Sequence, residues 1–308
     1  MKPAPVLITG ATGLLGKYLS EASPPGVELS GTFHRLPPPP ELKGRCFPLD
    51  LSSDETAIFQ LLDQLRPEWI LHTAGVGAVD EAEQNPGPVR RVNVDGTRAI
   101  AAWCKRHDAA PIAVSSNAVF NGEDPPYAED SPRDPINEYG RIKLEAEDAV
   151  RASGCRHLIV RPILLYGWPW PGGRQNVVTR WLQAMESAQP VQVDREIHSM
   201  PLYARDCAEA IWAAAERETS GTLHLAGPEK IALVEFARAV ARQFGHSENL
   251  VEPIAASQVN VLAPRPKDTS FITRRLSEEL ALRPRDVLHG LADMQEQRAR
   301  VSPVAVRG

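Results

Sequence analysis

Tyr139 and Lys143 stand four residues apart in the run Tyr139-Gly140-Arg141-Ile142-Lys143. On a helix that spacing puts both side chains on one face, one turn apart. A phenol titrates near ~10, and an ammonium beside it favours the phenolate and draws that value down. Such a pair can give a proton to a carbonyl oxygen, or take one from an alcohol, near neutral pH. The pattern is short, and in isolation it reads as a half-buried Tyr139 beside a solvated Lys143. Its surroundings decide between the two readings.

The pair needs a helix and a surface to face. Pro135-Ile136-Asn137-Glu138 predicts a helix entry with Asn137 as cap, and Leu144 to Val150 continues the helix until Gly154 ends it. Upstream, Val6-Leu7-Ile8-Thr9 is a short apolar run of the kind buried on both faces of a parallel sheet. It leads through Gly10-Ala11-Thr12-Gly13-Leu14-Leu15-Gly16 into a helical stretch, and a second strand spans Val27 to Phe33. Glycines at such a strand-to-helix turn let the backbone approach a pyrophosphate while the helix N-terminus supplies free N–H groups. The alternative is a tight turn with no ligand.

The alternation continues with strands at Cys46–Leu49, Trp69–Thr73, Ile112–Ser116 and Leu158–Arg161. Helices are predicted over Ser53–Leu65 and Val89–His107. About six parallel strands with right-handed crossovers make a doubly wound α/β sheet of Rossmann type. Residues 1–162 read as an NAD(P)-binding domain. Residues 163–308 read as a smaller C-terminal α/β substrate lobe, partly interleaved with the first. Within it, Tyr166 to Gly173 (YGWPWPGG) reads as a mobile loop over a site, Arg265 to Met294 as polar and helical, and the last dozen residues as a frayed tail.

Composition excludes several classes. The chain has 308 residues, 43% hydrophobic and 24% charged, with a formal net charge of −5. That balance speaks against a nucleic-acid or anionic-membrane partner. No apolar run approaches the ~20 residues of a membrane span. Met1 to Pro5 enters a strand pattern at once, so no signal peptide is expected. Cys46, Cys104, Cys155 and Cys207 lack metal-ligand spacing and read as reduced thiols of a cytoplasmic protein; no metal is expected.

Taken in order, GATGLLG at 10–16, Asp50-Leu51, HTAG at 72–75, VDEAEQNP at 79–86, VNVDGT at 92–97, SSNAVFNG at 115–122, YGRIK at 139–143 and RPILLYG at 161–167 form a set. The chain resembles the extended short-chain dehydrogenase/reductases, and within them the dTDP-4-dehydrorhamnose reductase-like branch. The resemblance covers nearly the whole chain. It implies that Tyr139 is the general acid toward a substrate carbonyl, that Lys143 assists it and binds the nicotinamide ribose, and that Ser116 bonds the reacting oxygen. It further implies a cofactor cradle of Gly10, Thr12, Gly13, Leu14, Leu15 and Gly16. Asp50 and Leu51 would flank the adenine, and Ala74, Gly75 and Val76 the ribose, with Asn93 and Pro162 completing the cofactor site. Ser116 has the alternative of a strand-end cap, and Asp50 that of a turn residue before Ser52-Ser53. Ala118 and Leu164 depart from aromatic residues of the branch, as does the segment 194–201 from its substrate loop, so the resemblance does not name the sugar.

The implied function is a reductase of a keto sugar, a nucleotide-linked 4-keto-6-deoxy sugar being the nearest substrate class. Asn117, Arg174, Asn176 and Arg265 are the candidates for holding it, and Trp168 and Trp170 could supply a stacking surface. Two other readings stand beside this one: an epimerase or dehydratase with bound NAD, and a non-catalytic NADP-binding regulatory subunit. A homodimer through the helices around 89–107 and 139–152 is also implied. At the end of the second strand the chain carries His34-Arg35 and no acid until Glu41. A guanidinium pairs with a 2′-phosphate, which a carboxylate would repel, so NADP(H) is expected ahead of NAD(H). Arg35→Asp should therefore weaken NADPH binding much more than NADH binding in a fluorescence titration. Equal losses would remove the clamp.

Overall fold

The computed structural model describes residues 4–258 and 261–301. Strands β1 (Pro5–Thr9), β2 (Glu28–Phe33), β3 (Cys46–Pro48), β4 (Trp69–His72), β5 (Ala110–Val114) and β6 (Leu158–Pro162) are all parallel. The strand Gly221–Leu225 pairs in parallel with β6, so the sheet has seven strands where the sequence pattern predicts about six. Its order is Gly221–Leu225, β6, β5, β4, β1, β2, β3, the doubly wound arrangement. The extra strand comes from the C-terminal part of the chain, which returns to the sheet after leaving it.

Helices α1 (Leu14–Glu21), α2 (Glu55–Leu65), α3 (Val79–Gln84), α4 (Pro86–Arg90), α5 (Gly96–His107), α6 (Glu138–Ala152), α7 (Val177–Glu186) and α8 (Ala204–Glu216) connect the strands or cover them. Alternation along each strand sends side chains to opposite faces. Val6, Ile8, Leu71, Ile112 and Val160 pack with Leu15 and Leu19 of α1 and Ile211 and Trp212 of α8. Leu7, Ile70 and Ile159 pack with Ile58 and Leu62 of α2, Ile100 and Trp103 of α5 and Val150 of α6. A fully buried aliphatic side chain contributes roughly 1.5–3 kcal/mol. An exposed pair such as Arg98 with Asp95 contributes roughly 0.2–1 kcal/mol, so the two aliphatic faces hold the sheet. Two indoles tie the layers as well: Trp103 donates to Asp63 at 2.7 Å and Trp212 to the Leu19 carbonyl at 2.9 Å.

Three local expectations are corrected. The helix expected over Val89–His107 is α4 and α5 joined by a π turn, Arg91–Asp95, which carries Asn93 inward. The loop at 166–173 is pinned: the Trp168 N–H donates to the Tyr18 hydroxyl at 2.9 Å and its indole to the Met294 carbonyl at 2.7 Å. Residues 265–273 form no helix, and around Phe271 they bridge to Tyr127: Tyr127 N donates to Ser270 O and Ile272 N to Tyr127 O, both at 2.8 Å. Helix resumes over Arg274–Leu280 and Val287–Val301. Beyond Val301 the expected tail lies outside the described residues.

Two imidazoles are sealed in this core. Burial, and secondarily the Lys143 ammonium, pushes His72 down to about 3. Burial, then the Arg161 cation, does the same to His224, also to about 3. Both values lie below that of an unfolded histidine, so unfolding takes up protons between about pH 3 and 6.5. The stability held by the neutral rings is complete above about pH 6.5 and is lost as pH falls, by up to roughly 1.4 kcal/mol per pH unit for each ring. Melting temperature should therefore fall between pH 7 and pH 5, while neither ring titrates by NMR in the folded protein. A flat melting temperature over that interval would contradict the burial.

Candidate active site

All seven strands end on one edge, and the candidate residues gather there. After β1 the chain turns at Gly10, whose φ of +71° is a left-handed conformation that glycine adopts without strain. A Cβ on Gly16 would lie 2.3 Å from the Gly10 carbonyl oxygen, so only hydrogen fits where α1 starts. The turn is latched to β2 by Ala11 N to Thr32 O at 2.8 Å and Gly10 N to the Thr32 hydroxyl at 3.2 Å. Gly13, at the N-cap of α1, brings no side chain to cap it, so the first-turn N–H groups stay available to an anion. Thr12 and Leu15 are buried beside it and Leu14 half-buried. Trp170 lies over the same turn, its indole donating to Ala11 O at 3.3 Å.

Behind this turn runs a buried chain of hydrogen bonds that the motifs alone do not reveal. The Thr97 hydroxyl donates to the Asn93 carbonyl at 2.6 Å, so it accepts from His72 Nε2 at 2.8 Å. His72 Nδ1 is then the acceptor, and the Thr9 hydroxyl donates to it at 2.7 Å. Every member is satisfied, which a buried polar network requires. The network joins β1, β4 and the helix that follows the π turn. Asn93, 2% exposed, then holds the 74–76 turn: its Oδ1 accepts from Val76 N at 2.8 Å and its Nδ2 donates to Val76 O at 2.9 Å. A Cβ on Gly75 would meet Asn93 Oδ1 at 2.9 Å and Lys143 Nζ at 3.9 Å, so Gly75, Asn93 and Lys143 share one corner. HTAG and VNVDGT carry the signal for this network, but not its pairing.

Helix α6 carries Tyr139 and Lys143. Asn137 caps it as the sequence predicts, accepting from Gly140 N at 2.8 Å. Tyr139 is buried, at 9% exposure, against Ala118, Val94 and Val76. Lys143 Nζ donates to the Val114 carbonyl at 3.0 Å and sits 6.0 Å from the centre of the Tyr139 ring. Gly140 is the missed residue here. A Cβ on it would lie 2.1 Å from the Ala118 carbonyl, so glycine lets α6 press onto the 116–119 turn. Ser116 caps that turn, its Oγ accepting from Ala118 N at 3.1 Å and donating to Asn117 Oδ1 at 3.3 Å. Capping and a position at the site edge thus coexist.

Other candidates fall in different places. His34 and Arg35 are exposed at the end of β2, with His34 Nε2 3.7 Å from Asp50. Hydrogen bonds from Ser52, with the nearby His34 and Arg35 charges, hold the Asp50 carboxyl below the usual range. Asp50 is therefore engaged as a turn residue, and Leu51 is buried against Gly96. Pro162 is buried at the end of β6. Asn117 donates to the Thr269 hydroxyl at 2.6 Å. Arg174 is exposed and reaches Gly77. Asn176 is occupied in capping α7, accepting from Val178 N and Thr179 N while donating to Gly167 O at 2.6 Å. Its side chain, a candidate substrate ligand in the sequence, makes these capping bonds. Arg265 pairs with Asp80 at 2.9 Å, and the same Asp80 oxygen accepts from Leu262 N and Ala263 N. Trp168 is consumed in packing on Phe244, which leaves Trp170 nearer the cleft. Among the described residues no cluster of metal-ligating side chains occurs.

Residues 4–300 match the RmlD substrate binding domain family. A methionine adenosyltransferase 2 subunit beta from Bos taurus is 30% identical over 278 residues, 88% of this chain and 81% of its own. A dTDP-4-dehydrorhamnose reductase from Sinorhizobium fredii is 29% identical over 245 residues, 76% of this chain and 81% of its own. The crystal structure of a dTDP-4-dehydrorhamnose reductase from Bacillus anthracis in complex with NADP superposes with a TM-score of 0.83 at 26% identity, covering 96% of this chain and 100% of that one. With a glycine turn, a tyrosine–lysine helix and a serine-capped turn meeting on the edge of a doubly wound sheet, the chain belongs to the RmlD substrate binding domain family, in the dTDP-4-dehydrorhamnose reductase-like branch of the extended short-chain dehydrogenase/reductases.

Proposed function

We propose that this protein is an NADPH-dependent reductase of a keto sugar carried on a nucleotide, the 4-keto-6-deoxy class fitting best. The observation that carries the reading is the meeting of Tyr139, Lys143 and the Ser116 turn beside Gly75 and Asn93, on the edge where the glycine turn opens. The bound nicotinamide would supply a hydride to the keto carbon. Tyr139 then gives its hydroxyl proton to the carbonyl oxygen, and the product is the alcohol. Ser116 orients that oxygen. Lys143, held by the Val114 carbonyl, stands on the same face of α6 as the phenol and reaches toward the ribose. Water exclusion by buried Tyr139, and orientation of two ligands, account for much of the acceleration.

His34 and Arg35 support the preference for NADP(H), because two nitrogen-rich side chains flank the end of β2 while Asp50 is engaged by Ser52. NAD(H) is the weaker ligand in this reading. Arg174 and Arg265 flank the 77–80 segment and are the cations for the substrate diphosphate. Asn117 takes a sugar hydroxyl. A homodimer through α5 and α6 would join charged faces, since Arg98, Arg141 and Asp148 are exposed there. A cytoplasmic setting suits the free Cys46, Cys104, Cys155 and Cys207. No helix among the described residues is long and apolar enough to cross a membrane.

A regulatory role, with the nucleotide site kept for binding alone, is favoured by one observation: the 30% identity to a methionine adenosyltransferase subunit. An epimerase or dehydratase would need a further acid or base near Ser116, where Asn117 and Ala118 stand. NADPH oxidation across a panel of nucleotide-linked keto sugars separates these readings. Tyr139→Phe keeps the ring and its packing, so melting temperature and NADPH affinity should persist while single-turnover oxidation falls by about 10²–10⁴-fold. A normal rate in a normally folded variant would remove Tyr139 from the mechanism.

A further inference from the structure

The mechanism above leaves one buried charged cluster unused, and it lies on the same helix. Glu147 follows Lys143 as Lys143 follows Tyr139, four residues on each time. Each such step rotates the side chain by about 40° and advances it by about 6 Å, so Glu147 points under the sheet edge rather than into the cleft. Its carboxylate is 2% exposed. One oxygen accepts from the Ser115 hydroxyl at 2.6 Å and Arg161 Nε at 2.8 Å. The other accepts from Arg161 Nη2 at 2.8 Å, Arg151 at 3.1 Å and Arg133 at 3.2 Å. Arg161, 1% exposed, spends its remaining nitrogen on the Glu129 carbonyl and His224 Nε2. Burial would raise the Glu147 carboxyl, but Arg161, then Ser115 and Arg151, draw it down to about 2.

Apolar residues of similar volume would hold a helix to a sheet at least as well as a buried ion pair, so stability alone does not call for this cluster. Hydrogen bonds are directional and apolar contacts are not, which gives the cluster a use in setting register. Ser115 immediately precedes Ser116. Seven residues N-terminal to Glu147, Gly140 presses against the Ala118 carbonyl. Helix α6 therefore touches the 115–118 segment at two points, and two points fix both its slide and its rotation. Lys143, Ser115 and Glu147 also border one small cavity together with His72 and Asn93, so the anchor and the reactive corner are neighbours.

We infer that Glu147, acting through Ser115 and braced by Arg161, is a positioning residue that sets Tyr139 against Ser116. This rests on the reading of Tyr139 as proton donor. Ser115→Ala removes the link and touches no candidate ligand-binding group. Ser115→Thr restores a hydroxyl, and the double variant Glu147→Met with Arg161→Met removes the buried pair while Arg133 and Arg151 keep Asp148 as a partner. The full-length protein is labelled with [¹³Cζ]tyrosine, and Tyr139 is assigned by its loss in Tyr139→Phe. In Ser115→Ala the Tyr139 resonance should move and kcat should fall about 10–10²-fold, the cost of a sub-ångström to ångström misplacement, with NADPH affinity unchanged. Ser115→Thr should recover both. The double variant should melt near the wild-type temperature yet stay slow. A Tyr139 resonance unmoved in Ser115→Ala overturns the proposal, as does full activity in either the alanine or the double variant. If the wild type turns over no keto sugar, the reductase reading fails, and the resonance alone decides the clamp.

Discussion

Every strand of the sheet runs parallel, and this one constraint decides where the site can be. A parallel strand needs a crossover to reach its neighbour, so each strand delivers a loop to the same edge and a helix to one of two faces. Both faces of β1, β4, β5 and β6 are consequently sealed, and Leu7, Ile70, Ile112 and Leu158 are fully buried. The loops after β1, β4 and β5 have nowhere to go except the shared edge. There the glycine turn, the 74–76 turn and the Ser116 turn come together with the first turns of α6.

A sealed sheet makes any polar group inside it costly unless it is paired. The chain holds two polar systems there, and each reaches the edge. One runs from Thr9 through His72 and Thr97 to Asn93, and ends by gripping the backbone of Val76. The other gathers Glu147, Arg161 and Ser115 and ends one residue from Ser116. Packing could support the loops from below, but it would leave them free to shift along the sheet. Directional bonds from a rigid interior remove that freedom, which is what pre-organised chemistry needs.

The C-terminal part of the chain completes the edge rather than standing apart. Its strand Gly221–Leu225 extends the sheet past β6, and α8 packs on α1. The irregular segment from Leu262 to Ile272 crosses in front of α6, bonded to Asp80, to Asn137 through the Pro264 carbonyl, to Asn117 through Thr269, and to Tyr127. The glycine turns thus lie on one side of the edge and this strap on the other. Trp170 reaches over the first of these turns from the 167–173 loop.

What the sequence determined by itself was everything with a local cause. Short apolar runs marked the strands, the first of them ended by Gly10. Asn137 marked the start of α6, and the spacing of Tyr139 and Lys143 put them on one face, because capping and helical period act within a few residues. Tertiary structure decided what depended on distant partners. Thr222–Leu225 looked like part of a lobe until β6 supplied its neighbour, since a four-residue strand has no local signal for the sheet it joins. Asn176 reads in the sequence as a polar candidate, and the structure adds its bonds to the Gly167 carbonyl and two amides of α7. Gly140 and Glu147 looked like ordinary helix positions, and only the approach of Ala118 and Ser115 showed why hydrogen was needed at one and a carboxylate could be buried at the other. Ser115 and Glu147, 32 residues apart, meet only after the sheet has assembled, and no spacing along the chain encodes that meeting.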